Sequence, residues 1–556
     1  MKKLGILFLL LFVVGSVLIA CGGGDDGPKE ILEIPLTENL HGWFDYGSAL
    51  VLRDEFAATN RDSIDIAMAK NEKEGFQYLL ASTQNYDDLR CEVSTLTDGN
   101  GNTLTGTVYT AYNLFIRKTS PYNYDRGYRP FALLEQDNEY VGGTFDVVAN
   151  RSKTLYVQFE TDKNTVAGTY TGVLQVKQGD TVLTEGEVSV TVWDIYYEED
   201  TATDLLFGVG YTWWDTTEAN GPQLVGPANA PDFKIIGDGT ATDNVAICEQ
   251  FMDFMLDNRL SPSCLFYEDG LLNENAGKYL DDPRVSQMLI ADQTNLYLQY
   301  EKAVEEGWYD KIIFCQFDEP HEEGHMGHIY DGIRRIKNLF ETTQHMNPFY
   351  VDLPDGDKNI ADRLGEVSTF HCTLSPNFKA GNAIGETLMK LKAERGDTVI
   401  WYTCGSNPAD TIDLLPTFPG TLQRTLFWQQ YLYDIDGYLL WNTTNWYGQD
   451  DIWEEDYEEK KHKMATSIMG PTGNGVLIYF DPITKEPVPT LGLQSVRDGI
   501  EDYQLFAMAE KVLGREVVLT YITRITTSLT EFNTEAEVLM QVRNELAEAL
   551  LAATTA

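Results

Sequence analysis

The chain has 556 residues, 43% of them hydrophobic and 12% aromatic, and a formal net charge of −45. It is too long for one ordinary core, so two or three domains are expected, and too apolar for a disordered chain. Its 86 Asp and Glu against 41 Lys and Arg would repel phosphate backbones, which excludes nucleic acid as a partner and argues against anionic polysaccharides such as chondroitin sulfate.

The N-terminus reads as a targeting signal rather than as structure. Lys2 and Lys3 precede an apolar stretch, Leu4 to Val17, too short for a comfortable membrane span. Leu18-Ile19-Ala20-Cys21 then has the form of a bacterial lipobox, whose Cys is acylated and becomes the new N-terminus. Residues 1–20 are therefore expected to be a lipoprotein signal peptide. Residues 21–30, with the run Gly22 to Gly27, are expected to be a lipidated, flexible tether. Its acidic character is similar to the stretch that sends Bacteroidetes-type lipoproteins to the outer face of the outer membrane. The expected location is the outer membrane, at the cell surface or else on the periplasmic face, with membrane contact only through the lipid.

Residues 31–200 read as a β-sandwich. Alternating segments such as Thr154–Phe159 and Gly186–Val192 recur, divided by turn clusters at Asp98–Asn102 and Gly179-Asp180. From residue 201 the pattern changes to strands alternating with helices. Strands are expected near 204–211, 261–267, 311–317, 348–353, 366–372, 397–404, 437–442 and 475–480. Helices are expected at 285–306, 328–341, 383–395 and 420–434. Eight such units predict a (β/α)8 TIM-like barrel over 201–515. Residues 516–556 predict C-terminal helices packed on its outside, with Val538, Val542 and Leu546 on one face.

Cysteine and histidine spacing gives no metal chemistry. Apart from Cys21, the six cysteines include no CxxC pair, and the seven histidines form no HExxH. No metal, cofactor or disulfide framework is expected.

The chemistry is read from one strand end. Ile312 to Phe317 is an apolar, β-branched and aromatic run, followed at once by Asp318, Glu319 and Pro320. Proline cannot continue the ladder, and in α/β barrels chemistry collects at the C-terminal ends of strands. Two carboxylates there suggest glycoside hydrolysis, although an N-cap Asp and a surface Glu would look the same. Ordinary retaining glycosidases hold two carboxyls about 5–5.5 Å apart across the scissile bond. Neighbours in extended chain point in opposite directions, so this pair fits another arrangement better. Glu319 would act as general acid and then base. Asp318 would polarise a 2-acetamido group whose own oxygen attacks the anomeric carbon.

Further candidates for sugar contact lie at other strand ends. Tyr211, Trp213, Trp214 and Asp215 follow the first; His371 and Cys372 end the fifth. Trp401, Tyr402 and Asn407 surround the sixth end, and Trp441, Asn442, Asn445, Trp446 and Tyr447 follow the seventh. Of these, Trp213, Asp215, His371, Tyr402, Trp441, Asn442, Asn445, Trp446 and Tyr447 are the selected substrate contacts, because rings and amides are what hexose recognition needs. His321 and His325 read as surface residues at a helix start. Arg497 and Glu501, one helical turn apart, read as a structural pair.

Phe317-Asp318-Glu319-Pro320 resembles the catalytic strand end of glycoside hydrolase family 123, the β-N-acetylgalactosaminidases. Arg497-Asp498-Gly499-Ile500-Glu501-Asp502-Tyr503, the segment Gly475–Tyr479 and Asn71-Glu72-Lys73-Glu74-Gly75-Phe76-Gln77 are similar to other motifs of that family. The resemblance implies a retaining, substrate-assisted enzyme that releases terminal β-linked GalNAc from glycans, with Asp318 and Glu319 as its acidic pair. The expected partner is a glycan with terminal GalNAc, with other glycan-degrading proteins as possible neighbours. The sequence also allows two alternatives: a hydrolase of another 2-acetamido sugar such as β-GlcNAc, and a non-catalytic glycan-binding lipoprotein.

Overall fold

The computed structural model describes residues 31–116, 127–209, 224–225, 235–236, 241–267, 269–291, 295–315, 317–339, 344–405, 410–445, 453 and 475–555. The leader and Cys21 lie outside them.

Two sheets form the N-terminal region. A five-stranded antiparallel sheet runs in the order His41–Tyr46, Lys73–Ala81, Lys153–Glu160, Gly106–Ile116, Gly127–Glu135. The second sheet orders Ser63–Lys70, Thr181–Tyr196, Gly168–Gln178, Tyr86–Val93 and Phe145–Val147, with two short strands at its side. Phe76, Tyr78, Leu155 and Val157 of the first share one core with Ile64, Ile66, Leu174, Val188 and Val190 of the second. The alternation in the sequence is thus the inner face of a two-sheet sandwich. The other face of the five-stranded sheet is buried too. Tyr112, Leu114, Phe131 and Leu134 belong to the large core of the following region.

Parallel pairing begins at residue 204. Asp204–Phe207 pairs with Gly437–Leu440, which pairs with Thr398–Tyr402, which pairs with Phe370–Leu374. Phe349 bridges to Thr373, while His345–Met346 pairs with Ile312–Cys315 and that strand with Met288–Ala291. The Leu289 N–H donates to the Ser263 carbonyl at 2.7 Å, and Pro262 bridges in parallel to Phe207. A four-stranded and a three-stranded parallel sheet are thus linked by single bridges and hydrogen bonds on both sides. One set of side chains, including Leu206, Leu289, Ile313, Met346, Cys372, Ile400 and Leu439, forms an inner cluster. The alternate residues, such as Phe207, Ile290, Phe314, Val399 and Leu440, join the outer core under the helices.

Two expectations are corrected here. Met288–Ala291 is a strand, although the sequence reads as helix from 285 onward; helix starts only at Leu296. A four-residue apolar run satisfies either period. The segment 475–480 is not the eighth parallel strand, because Ile478–Phe480 pairs antiparallel with Pro487–Pro489.

Charged residues weld the two regions. Helix Gly420–Leu432 is buried along almost its whole length yet carries Arg424. The Arg424 guanidinium meets Asp502 at 2.7 Å, Glu74 at 3.1 Å and Asp498 at 3.4 Å. Arg543, on helix Ala536–Thr555, reaches Asp502 at 2.6 Å and also pairs with Glu72. Arg497 holds Asp498 at 2.7 Å and Glu501 at 3.7 Å, so the expected helical pair is present inside a larger network. Gly499 lets the two helices approach this closely; a Cβ there would lie 2.6 Å from Phe427 and 2.9 Å from the Arg424 carbonyl. The C-terminal helix packs on Ala67, Trp193 and Ile195 of the sandwich as well as on Trp428 and Tyr431. It spans the joint rather than covering the parallel strands alone.

In this network the five buried carboxylates Glu72, Glu74, Asp498, Glu501 and Asp502 outnumber Arg424, Arg497, Arg543 and the partly buried Arg259, which reaches Glu501 at 3.4 Å. Burial pushes Glu72 up to about 8 and Asp498 up to about 7, against the pull of Arg543 and Arg497 respectively. Burial also pushes on Asp502, but Arg424 and Arg543 outweigh it and hold that carboxyl below its usual range. Raised groups bind their protons more tightly in the fold. Their contribution is full below the ordinary carboxylate range and is lost as pH rises through 7 to 8. Arg543→Met should leave Glu72 and Asp502 short of a counter-charge and cost about 3–5 kcal/mol. The urea-unfolding midpoint at neutral pH measures this, and a midpoint matching wild type would contradict it.

Candidate active site

The strand Ile312–Cys315 ends where its side chains leave the core, and all four of its residues are buried. Pro320 is buried beyond the acids, and helix Glu323–Leu339 follows. Asp318 and Glu319 therefore stand at the C-terminal ends of the parallel strands, on the same side as Leu374, Tyr402 and Leu440.

Glu319 does not sit in extended backbone. Its φ is +49°, in the left-handed region that costs a non-glycine residue free energy. The Glu319 N–H donates to the Pro348 carbonyl at 2.9 Å. Its own carbonyl lies 3.0 Å from His321 Nδ1. The carboxylate accepts from Tyr402, with Oη to Oε1 at 2.6 Å. Tyr402 belongs to the inner cluster, and burial followed by the charge of Glu319 raises its phenol well above the usual range.

Asp318 is exposed beyond the strand end, although the groups packed around it still desolvate its carboxyl in part. Desolvation, then the charge of Glu319, raises it to about 6. The charges of both acids act on the same buried thiol, Cys372, and so push its proton affinity up after burial has done so. The expectation of opposite-pointing neighbours rests on extended chain, and Glu319, at φ +49°, is not extended.

The other candidates divide. Tyr402 joins Glu319. His371 does not: it lies at the beginning of its strand, 370–374, not at the end of a strand 366–372. Its ring is buried and its Nε2 is 2.7 Å from Asp397 Oδ2, a carboxyl also held by Arg395. That pair belongs to the opposite end of the parallel strands, so His371 is not placed to touch substrate. Asn442 is 2% exposed, and its Oδ1 accepts from the Thr444 N–H at 2.8 Å and from the Thr444 hydroxyl at 3.2 Å. It shapes a turn. Trp441 is half-buried against the outer core. Asn445 is half-buried, and its N–H donates to the Gly475 carbonyl at 2.8 Å. Tyr211, Trp213, Trp214, Asp215, Asn407, Trp446 and Tyr447 lie outside the described residues. His325 is more than a surface residue, since its ring stacks on Phe317 at 4.4 Å. Sequence reasoning missed the segment His345–Phe349, whose Asn347 and Pro348 hold the backbone of the acids. A polar Asn before Pro at a strand end was its only signal.

Such a site has one carboxylate engaged by a buried phenol and, next to it in the chain, a second carboxyl raised above its ordinary value. Together they can protonate a leaving group and bind an N–H or a developing positive charge. Among the described residues no cluster of His, Cys, Asp and Glu could hold a metal ion.

Residues 294–509 match the family model for the glycoside hydrolase 123 catalytic domain. A solved family 123 glycoside hydrolase from Clostridium perfringens, studied for glycolipid glycan hydrolysis, superposes with a TM-score of 0.61. That match has 12% identity and covers 93% of this chain and 100% of the other. Weaker matches include a Bacteroides ovatus GH5 xyloglucanase (TM-score 0.25, 8% identity, 79% and 98% covered). Another is a Ruminococcus gnavus β-glucuronidase (0.30, 10%, 76% and 69%). No curated protein sequence matches the chain significantly.

Asp318 gives a stability test of this geometry. A carboxyl raised from 3.8 to about 6 binds its proton more tightly in the fold, so ionising it weakens the folded state as pH rises between those values. Asp318→Asn should therefore melt higher than wild type at pH 7–8, with the gain vanishing below about pH 4, where both states of the wild type are protonated. A variant that melts lower at neutral pH would show that Asp318 is not held against its ionisation.

Proposed function

With residues 294–509 belonging to glycoside hydrolase family 123, we propose that this protein is a retaining exo-glycosidase that removes terminal β-linked N-acetylgalactosamine from glycans by substrate-assisted catalysis. The observation that carries the reading is the adjacent Asp318–Glu319 pair just beyond the C-terminal end of a parallel strand, with the Tyr402 hydroxyl donating to Glu319 at 2.6 Å. Glu319 gives a proton to the leaving oxygen. Asp318 accepts the acetamide N–H while the acetamide oxygen attacks the anomeric carbon, and an oxazoline forms. Glu319 then takes a proton from the water that opens it, and the anomeric configuration is retained. Two parallel sheets linked by single bridges and alternating with helices support reading residues 201–515 as a (β/α)8 barrel with the acids at its mouth. The lipobox at Cys21 supports a lipid-anchored enzyme of the outer membrane, facing surface glycans alongside other glycan-degrading proteins.

Hydrolysis of nitrophenyl β-GalNAc, β-GlcNAc and β-Gal side by side tests the substrate. GalNAc should be cleaved fastest, and plain galactoside very poorly because it lacks the internal nucleophile; efficient galactoside cleavage would overturn the mechanism. Glu319→Gln should cost on the order of 10² or more on natural glycosides and less on substrates with good leaving groups. Asp318→Asn should impair all leaving groups alike. Because Asp318 is useful as its anion and is raised to about 6, the rate should climb as pH rises through that value.

A further inference from the structure

The register of the acid-bearing strand changes by one residue just before the site. Phe314 pairs with His345 and Cys315 with Met346, and the Phe314 N–H donates to the Gln344 carbonyl at 2.9 Å. Parallel ladders take every second N–H, so continuation would bring the Asp318 N–H to the Pro348 carbonyl. Instead the Glu319 N–H takes that carbonyl, at 2.9 Å. The Glu319 N–H thus arrives one residue later than a continued ladder would place it, beyond the strand's end at Cys315. The slip leaves the Phe317 N–H without a ladder carbonyl. Asn347 supplies the acceptor from its side chain, with Oδ1 3.1 Å away. Asn347 is 3% exposed, and Phe349 beyond it bridges to Thr373 of the next strand, so the acceptor sits on a fixed support.

The slip has a chemical effect. In an unbroken strand Asp318 and Glu319 would point to opposite faces. With the Glu319 N–H on Pro348 and its φ at +49°, the Glu319 side chain is turned out of that alternation, and its carboxylate meets the Tyr402 hydroxyl of the inner cluster at 2.6 Å. Phe317 is itself fixed by its stack on His325 at 4.4 Å.

We infer that Asn347 is a positioning residue: its side-chain carbonyl holds the one-residue slip that aims both acids into the same site. It touches no substrate and acts through the backbone of residues 317–319. An isosteric carboxylate at 347 keeps the acceptor and adds charge beside Asp318; an alanine removes the acceptor. The kinetic part rests on the substrate reading above, and the backbone part does not.

The experiment compares Asn347→Ala and Asn347→Asp with wild type on nitrophenyl β-GalNAc across pH, with melting curves and a crystal structure of each variant. Asn347→Ala should lose tenfold or more in kcat with KM within about threefold, since misplacing reacting groups by about an ångström is costly. Its residues 317–319 should leave the slipped register. Asn347→Asp should keep the register and most of kcat, and its acid limb should move to higher pH because a second negative charge opposes ionisation of Asp318. If Asn347→Ala does not fold, Asn347→Asp decides: retained register with a shifted limb supports the inference. An Ala variant with kcat within twofold of wild type, or an Asp variant that loses the register, overturns it. If wild type cleaves no 2-acetamido glycoside, the substrate reading fails, and the register of the two variants still decides the role of Asn347.

Discussion

The buried ionic joint between the sandwich and the parallel strands sets the frame in which the acids stand. Glu72 and Glu74 come from the corner where the chain passes from one sandwich sheet to the other. Arg424 comes from the helix between Tyr402 and the strand Gly437–Leu440, and Asp498, Glu501 and Asp502 come from the helix beyond the hairpin. Isolated, each of these charges would be expelled from the core. Together they are satisfied only when three remote segments and Arg543 meet in one arrangement. Buried ion pairs often add little net stability against well-packed apolar side chains, and are expensive when half broken. Their effect here is therefore to fix one docking geometry. Arg424 and Trp428, one turn apart, both bind Asp502 and so pin the helix whose neighbouring strand carries Tyr402.

The site above that frame is built from backbone accommodation as much as from side chains. Glu319 occupies a strained conformation held by Pro348, and its carboxylate is held by Tyr402. Strain of this kind persists only where its surroundings over-determine it, and it clusters at functional sites. Desolvation, and then the charge of Glu319, raise the proton affinity of Asp318 beside it.

Some of this was legible in the sequence and some was not. The apolar run from Ile312 and its abrupt end at Asp318 read directly as a strand end, because composition changes within one residue. The sandwich read from alternation, since one face of each sheet is core. Met288–Ala291 did not read as a strand because four apolar residues carry no period. His371 misled because its strand begins four residues later than the pattern suggested, which moves it from the end of the strand to the start. The network was visible only in fragments: Arg497 and Glu501 are close in sequence, whereas Arg424 and Glu74 are 350 positions apart. The register slip left no sequence signal beyond Asn347-Pro348, because it depends on which carbonyl meets which N–H.

The most direct measurement of the central claim is a crystal structure of the protein bound to GalNAc-thiazoline, which mimics the bicyclic intermediate. The expected result is the thiazoline nitrogen within about 3 Å of the Asp318 carboxyl, with Glu319 facing the side of the anomeric carbon from which water attacks. A third carboxylate lying beneath the anomeric carbon, or the inhibitor bound away from Asp318, would contradict it.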